Sequence, residues 1–412
     1  MDLRERITEY FDQHEDEIKN LIVQLTTSFV EERTVNVVSE KLGDHPYLKI
    51  RGEEYRVGDK VKKFFQELDI PFDEYSRMEG RPNIIGKLGQ DKSGERLFMP
   101  GHMDVVPAGE GWDTDPYQVV EKDGLLYGRG TSDNKGQLAS ILASAYVLKK
   151  TGLDRELRGQ LQIAALSDEE AMDEDQIDYG IGYLVEENLI NPTVSVVPDI
   201  GEDMKKIDIA EKGRMVVKIT AIGRQAHGAN PDAGINAIYM MNKLVSQIET
   251  LKLEHTVHPL LGSPTVNLGE IHGGAAPNIV PGTCFIYLDF RIVPGMTREG
   301  VLDALQVCID QVPDGDFQIK VISAKSPHAI EPDNPVVKII QEEAQAALGI
   351  TPATFGIGGG TYAKELVMHG VTAVGWGPGD GSTFHVANEY VEIQQLFDFA
   401  RLTCLLALRL AG

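Results

Sequence analysis

Apolar residues at positions 3, 7, 10, 11, 18, 21, 22 and 25 recur at the three-to-four spacing of an amphipathic helix, which predicts one helix or a helix pair over residues 3–30. Beyond this the pattern tightens into apolar runs at 83–88, 96–106, 160–166 and 193–197 that read as strands. Helical patterns at 137–150 and 180–189 separate them. Strands alternating with helices predict an α/β unit: a mostly parallel, helix-covered sheet whose loops at one edge collect functional side chains.

From residue 212 the pattern changes. It reads strand 214–222, helix 235–251, strands 265–272 and 283–293, helix 298–312 and strand 317–323, the βαββαβ order of a ferredoxin-like unit. A helix at 335–348, a glycine-rich turn, a strand near 372–376 and a closing helix at 392–410 then return to the first pattern. The expectation is a discontinuous first domain, 1–211 with 326–412, and an inserted second domain, 212–325. A chain of 412 residues exceeds one ordinary core, and its 42% hydrophobic residues are enough for two.

Charge narrows the choice of partners. With 63 acidic against 39 basic residues, the net charge of −24 argues against a nucleic acid or an anionic membrane as partner. Acidic clusters at 31–32, 53–54 and 173–178 read as solvated faces. Cys284, Cys308 and Cys404 are odd in number and sit in apolar runs, so they read as reduced core residues. The N-terminus has no apolar leader and no run of about 18 apolar residues occurs, so a soluble, cytoplasmic protein is expected.

Several residues in or just after the predicted strands could carry chemistry: His102 and Asp104 in Gly-His-Met-Asp, Asp133 in Thr-Ser-Asp-Asn-Lys-Gly, the pair Glu169-Glu170, Asp199 in Val-Val-Pro-Asp, and His385. Imidazole and carboxylate suit zinc, with manganese or cobalt as substitutes, and two ions ~3.5–4 Å apart need one bridging carboxylate. His102, Glu170, Asp199 and His385 would give each ion two terminal ligands, with Asp133 as the bridge. Asp104, two residues from His102 on a strand, would share its face and accept the imidazole's other N–H. Glu169, pointing away from Glu170, is the spare carboxylate a general base requires. Taken singly, each piece has a plainer reading: a His-x-Asp surface pair, an acidic doublet on a solvated face, an Asp after Pro198 opening a turn.

The stretches that carry this set are Gly-His-Met-Asp-Val-Val-Pro at 101–107, Asp-Gly-Leu-Leu-Tyr-Gly-Arg-Gly-Thr-Ser-Asp-Asn-Lys-Gly at 123–136, and Ser-Asp-Glu-Glu at 167–170. Further on come Ala-His-Gly-Ala-Asn-Pro from 226, Pro-Asn-Ile-Val-Pro-Gly at 277–282, Gly-Gly-Gly-Thr-Tyr-Ala at 358–363 and His-Val-Ala-Asn-Glu-Tyr at 385–390. Together they resemble the co-catalytic metallo-exopeptidases and deacylases. That family includes glutamate carboxypeptidase, succinyl-diaminopimelate desuccinylase, acetylornithine deacetylase, aminoacylase and the carnosinase-like dipeptidases.

The resemblance implies a zinc exopeptidase-like fold in which His102, Asp133 and Asp199 hold one metal and Asp133, Glu170 and His385 the other. It also implies Glu169 as base and a cis peptide between Asp133 and Asn134. The inserted domain would act as lid and dimerisation domain, with His227 reaching the partner's substrate to stabilise an oxyanion. Asn278 and Arg291 match lid positions that bind substrate. Without the resemblance, His227 reads as a surface-turn residue and Arg291 as the partner of Asp289.

Residues 356–362 lack the Lys-Ser/Thr of a P-loop, so nucleotide binding is not expected; Gly359, Gly360 and Thr361 could instead hold a substrate carboxylate. No Gly-x-Ser-x-Gly elbow is present. The expectation is a homodimeric metallopeptidase of dipeptidase type acting on a small peptide. An N-acyl amino acid deacylase is the alternative, and a non-catalytic binding protein a third reading.

Overall fold

The computed structural model describes residues 2–37, 52–170, 177–313 and 315–412. The chain divides into two compact units. The first comprises Met1–Ile209, Ile330–Phe355 and Thr361–Gly412; the second comprises Ala210–Ala329 and Gly356–Gly360. The sequence-drawn limits at 211/212 and 325/326 fall near these. The glycines of 356–360 go with the second unit, where the N–H of Lys212 donates to Ile357 O (3.1 Å).

In the first unit the N-terminal spacing becomes two helices, Leu3–Gln13 and Glu15–Val30, broken at His14. Asp2 accepts from the Glu5 N–H while Glu5 accepts from the Asp2 N–H, a reciprocal cap that fixes the chain's first turn. Their buried face, Ile7, Phe11, Ile18, Ile22 and Phe29, packs against helices Lys135–Thr151 and Ile393–Leu410. Lys135–Thr151 is buried on almost every side and ends at Gly152, whose φ of +70° only glycine adopts readily.

Across the sheet the strands follow the order Phe72–Tyr75, Asn83–Gly89, Gln160–Leu166, Arg96–His102, Val194–Val197, Thr372–Gly375 and Lys206–Glu211. The four from Gln160–Leu166 to Thr372–Gly375 run parallel and the flanks pair antiparallel. Register sets His102 beside Leu166 and Gly375 beside Val197, so the residues that follow gather at one carboxyl edge. The strand expected over 96–106 stops at His102, and Val105 forms only a bridge to Val35. Missing from the sequence reading are helix Tyr55–Glu67, strands Phe72–Tyr75, Lys206–Glu211 and Ala353–Ile357, a three-stranded sheet of Tyr390–Glu392, Leu125–Tyr127 and Val120–Lys122, and the short helix Tyr362–Met368. Strands of three residues are too short to show alternation.

The second unit has the order strand Gly213–Ile222, helix Ala237–Ile248, strands Thr265–Gly273 and Thr283–Ile292, helix Arg298–Asp310 and strand Phe317–Lys325. Its antiparallel sheet places Thr283–Ile292 and Gly213–Ile222 centrally, the ferredoxin-like strand order. Alternation is clean: Met215, Val217, Ile219, Ala221, Ile286, Leu288 and Phe290 enter one core with both helices.

One expectation fails. Glu53 and Glu54, read as a solvated doublet, are buried at 2% and 0% exposure, because Arg56 pairs with Glu53 and the fully buried Arg81 with Glu54. Residues 173–176 of the third acidic cluster lie outside the described residues. All three cysteines are buried and free, and among the described residues no helix is long and apolar enough to cross a membrane.

Candidate metal centre

The parallel strands deliver the candidates. His102 ends Arg96–His102, Glu169 and Glu170 follow Gln160–Leu166, and Asp199 follows Val194–Val197. Asp133 precedes helix Lys135–Thr151, with a cis peptide bond to Asn134. His385 sits beyond Thr372–Gly375 at a φ of +62°, left-handed backbone that a non-glycine residue adopts only when its surroundings hold it there.

Asp133 stands at the centre. Its Oδ1 is 3.0 Å from His102 Nε2 and its Oδ2 is 3.0 Å from His385 Nε2, so each oxygen addresses a different histidine. His385 Nε2 also lies 3.1 Å from Glu170 Oε2, and His102 Nε2 lies 4.0 Å from Asp199 Oδ1. Two groups result, His102–Asp133–Asp199 and Asp133–Glu170–His385, each offering donor atoms within 4.8 Å of one another; His102, Glu169 and Glu170 form a third. His102 is 1% exposed at the inner end and His385 54% at the outer.

Four acids this close need cations. Burial, then the Asp133 charge, push Glu170 up to about 8 and Asp199 up to about 7. Burial with Glu170 and Asp199 holds Glu169 well above the usual carboxylate range. Burial also opposes the charge on Asp133, but hydrogen bonding to His102 and His385 outweighs it and holds that carboxyl low. His385, bonded to Asp133 and Glu170, rises to about 10. Glu170 Oε1 is buried without a hydrogen-bond partner, an arrangement native proteins rarely leave unused. Three carboxylates, one of them the shared Asp133, and two imidazoles fit a pair of divalent ions.

The supporting residues were only partly foreseen. Asp104 stands beside His102: the imidazole Nδ1 lies 2.9 Å from the Asp104 backbone oxygen and 3.5 Å from its carboxylate. The Asp104 carboxylate accepts from the N–H groups of Glu169 (3.1 Å) and Glu170 (3.0 Å) and from Asn36 Nδ2 (2.8 Å). Asn36 also donates to Asp168 (3.1 Å), which pairs with Arg81 (2.8 Å). Asn134 Nδ2 donates to Asp199 Oδ1 (3.2 Å) and Pro198 O (3.0 Å). Glu389, given no role of its own within the 385–390 stretch, accepts from the N–H groups of Gly130, Ser132 and Asp133 and pairs with Arg129.

The remaining candidates, Thr361 apart, belong to the second unit. On the second unit His227 is exposed, and its Nδ1 accepts from the Ala229 N–H (3.0 Å), which leaves the ring proton on Nε2. Asn278 is exposed beside it, its carbonyl accepting from the Gly228 N–H (2.8 Å). Arg291 pairs with Asp289 (2.8 Å) and donates to Gly358 O (3.2 Å), while Gly359 and Gly360 are exposed. Thr361 belongs to the first unit, where its hydroxyl caps helix Tyr362–Met368 by accepting from the Ala363 N–H (3.1 Å).

Comparison with known proteins agrees with this geometry. Residues 98–409 match the model of peptidase family M20/M25/M40. The chain is 31% identical over 325 residues to acetylornithine deacetylase from Myxococcus xanthus, covering 76% of this chain and 80% of that protein. Its fold is similar to that of aminopeptidase PepT from Bacillus cereus, with TM-score 0.73 at 20% identity and coverage of 96% and 99%. Human carnosine dipeptidase 1 gives 0.68 at 19% identity, with coverage of 99% and 100%. A set of histidines and carboxylates able to bind two metals, within a match that runs through both units, therefore has one assignment: the chain belongs to peptidase family M20/M25/M40 and is a metal-dependent hydrolase.

Proposed function

We propose that the chain is a dipeptidase-type exopeptidase that hydrolyses the amide bond of a small peptide with two divalent ions, zinc by preference and manganese or cobalt as substitutes. One observation carries the reading: Asp133 turns one carboxylate oxygen to each of two histidines. His102, Asp133 and Asp199 would hold one ion, and Asp133, Glu170 and His385 the other. Bound there, the pair supplies Lewis-acid polarisation of the scissile carbonyl and acidifies a water.

The chain's own groups do the rest. Glu169 takes the proton of the attacking water and passes it to the leaving nitrogen, so that amide and water become acid and amine. Asp104 sets the orientation of both glutamates through their backbone N–H groups. His227 of the partner subunit, with its proton on Nε2, stabilises the oxyanion, which makes the working form a homodimer joined through the inserted lid. Asn278, Arg291, Gly359, Gly360 and Thr361 receive the substrate's carboxylate end.

Deacylation of N-acyl amino acids is the second reading, favoured by the identity to acetylornithine deacetylase. A panel of unblocked dipeptides, glutamate-terminated peptides and N-acetyl and N-succinyl amino acids, tested on protein reloaded with zinc, manganese or cobalt, separates the two. Turnover of unblocked dipeptides supports the proposal. Turnover confined to acylated amino acids transfers the function to the second reading.

A further inference from the structure

The open face of the second unit's sheet carries a charge arrangement that one substrate carboxylate does not use up. Arg214 opens strand Gly213–Ile222 and stands opposite Arg291 in register. Their neighbours Met215, Phe290 and Ile292 enter the core, so alternation turns both arginines to the other face. Asp289, diagonal to Arg214, accepts from Arg214 Nε on Oδ2 and from Arg291 Nε on Oδ1, each at 2.8 Å. One acid therefore fixes two guanidiniums by their Nε edges and leaves their Nη edges for other acceptors. Arg291 spends one such donor on Gly358 O.

Two cations share one anion here, within a chain of net charge −24. A purely structural pair needs one arginine, and Arg291 already supplies it. Side-chain exposures of 43% for Arg214 and 33% for Arg291 leave both accessible to a ligand. The remaining Nη donors of each arginine suit carboxylate oxygens, and an aspartyl or glutamyl residue carries two carboxylates a few bonds apart.

The geometry points to Arg214 as a second carboxylate-binding residue beside Arg291, and hence to substrates whose carboxylate-bearing residue is aspartate or glutamate. This rests on Arg291 receiving the substrate's main-chain carboxylate, as proposed above. It holds equally for a peptide and for an acylated amino acid, because both release that same residue.

The test is therefore made on the released amino acid. Affinities of L-glutamate, L-aspartate and L-alanine for the metal-loaded protein are measured by calorimetry for wild type, Arg214→Met and Arg214→Lys. Wild type should prefer the acidic amino acids to alanine by on the order of tenfold or more, the size of one charged hydrogen-bonded contact. Arg214→Met should abolish that preference and Arg214→Lys keep part of it. No preference in wild type, or equal weakening of alanine and glutamate by Arg214→Met, overturns the proposal; the second result would make Arg214 a positioning residue acting through Asp289. Failure of the dipeptidase reading would appear in the substrate panel and leave these affinities unchanged.

Discussion

Glu389 accepts hydrogen bonds from the backbone N–H of Asp133 (3.0 Å) and of its neighbour Ser132 (2.8 Å), so a residue far along the chain determines where the central carboxylate of the site stands. The same oxygen takes the Gly130 N–H, and Arg129 closes the pair.

Replacing Glu389 by alanine leaves three N–H groups without their acceptor and the buried Arg129 guanidinium without its counter-ion, with only the Ala108 and Val386 carbonyls to accept from it. Breaking a buried pair in this way costs about 3–5 kcal/mol. Glu389→Ala should therefore lower the thermal midpoint and the affinity for both metals together, as read by differential scanning and metal titration. Loss of stability with both affinities intact would show that Asp133 is held by other means.

Glu169→Gln should keep two metals per chain and lose roughly 100- to 10,000-fold in kcat, the usual worth of a positioned base. Metal analysis beside steady-state rates decides it. Retained turnover would remove Glu169 from proton transfer.

Metal-free protein should become less stable as pH rises from about 5 to 8. Glu170 and Asp199 are raised to about 8 and about 7 from ordinary values of 4.5 and 3.8, so the folded chain binds more protons than the unfolded chain in that window. Their contribution is complete below the ordinary values and is lost as pH approaches the raised ones. Asp104 and Asp133 shift the other way, and theirs is lost only at more acid pH. Metals displace the protons, so loading at pH 7 should release them, visible as buffer-dependent heats in calorimetry. Heats independent of buffer, or apo stability that rises with pH, would contradict these shifts.

Arg81 offers a test of the loop beneath the glutamates. It is fully buried between Glu54 (2.6 Å) and Asp168 (2.8 Å), and Asp168 sits at a φ of +64° directly before Glu169. Arg81→Met leaves two buried acids without their cation, at a cost of about 3–5 kcal/mol, and should lower kcat more than it raises KM; Arg81→Lys should restore part of both. An unchanged kcat in a destabilised Arg81→Met protein would confine Arg81 to a structural role.

Mixing inactive Glu169→Gln and His227→Ala chains should restore activity, since a heterodimer would contain one site with neither change. Complete absence of rescue in verified heterodimers would place His227 in its own chain's site.

The sequence disclosed what spacing and motif encode. Much of the strand-and-helix order and the βαββαβ insert were readable, because they reflect local periodicity, and short motifs marked the six residues that the structure brings together. Glu389 was not, although it stands four residues after His385: a lone acid in a loop gives no sign of which N–H groups converge on it. Glu54 in the doublet at 53–54 misleads for the same reason, since its counter-ion Arg81 is distant in sequence. Asp104 was legible as the neighbour of His102, but its bonds to the N–H groups of Glu169 and Glu170 were not, because those groups lie about 65 residues away in sequence.

The position of Thr372–Gly375 bears on how the protein is made. That strand lies inside the sheet, between Val194–Val197 and Lys206–Glu211, yet it is the last of the three to be synthesised. A nascent chain that has completed the insert still carries an open slot in its main sheet, flanked by two unpaired strand edges, until about 50 further residues emerge. Ribosome-bound intermediates should thus be sticky, inactive and dependent on chaperones at that stage, and release of the C-terminal segment would complete the sheet and bring His385 to the site in one step.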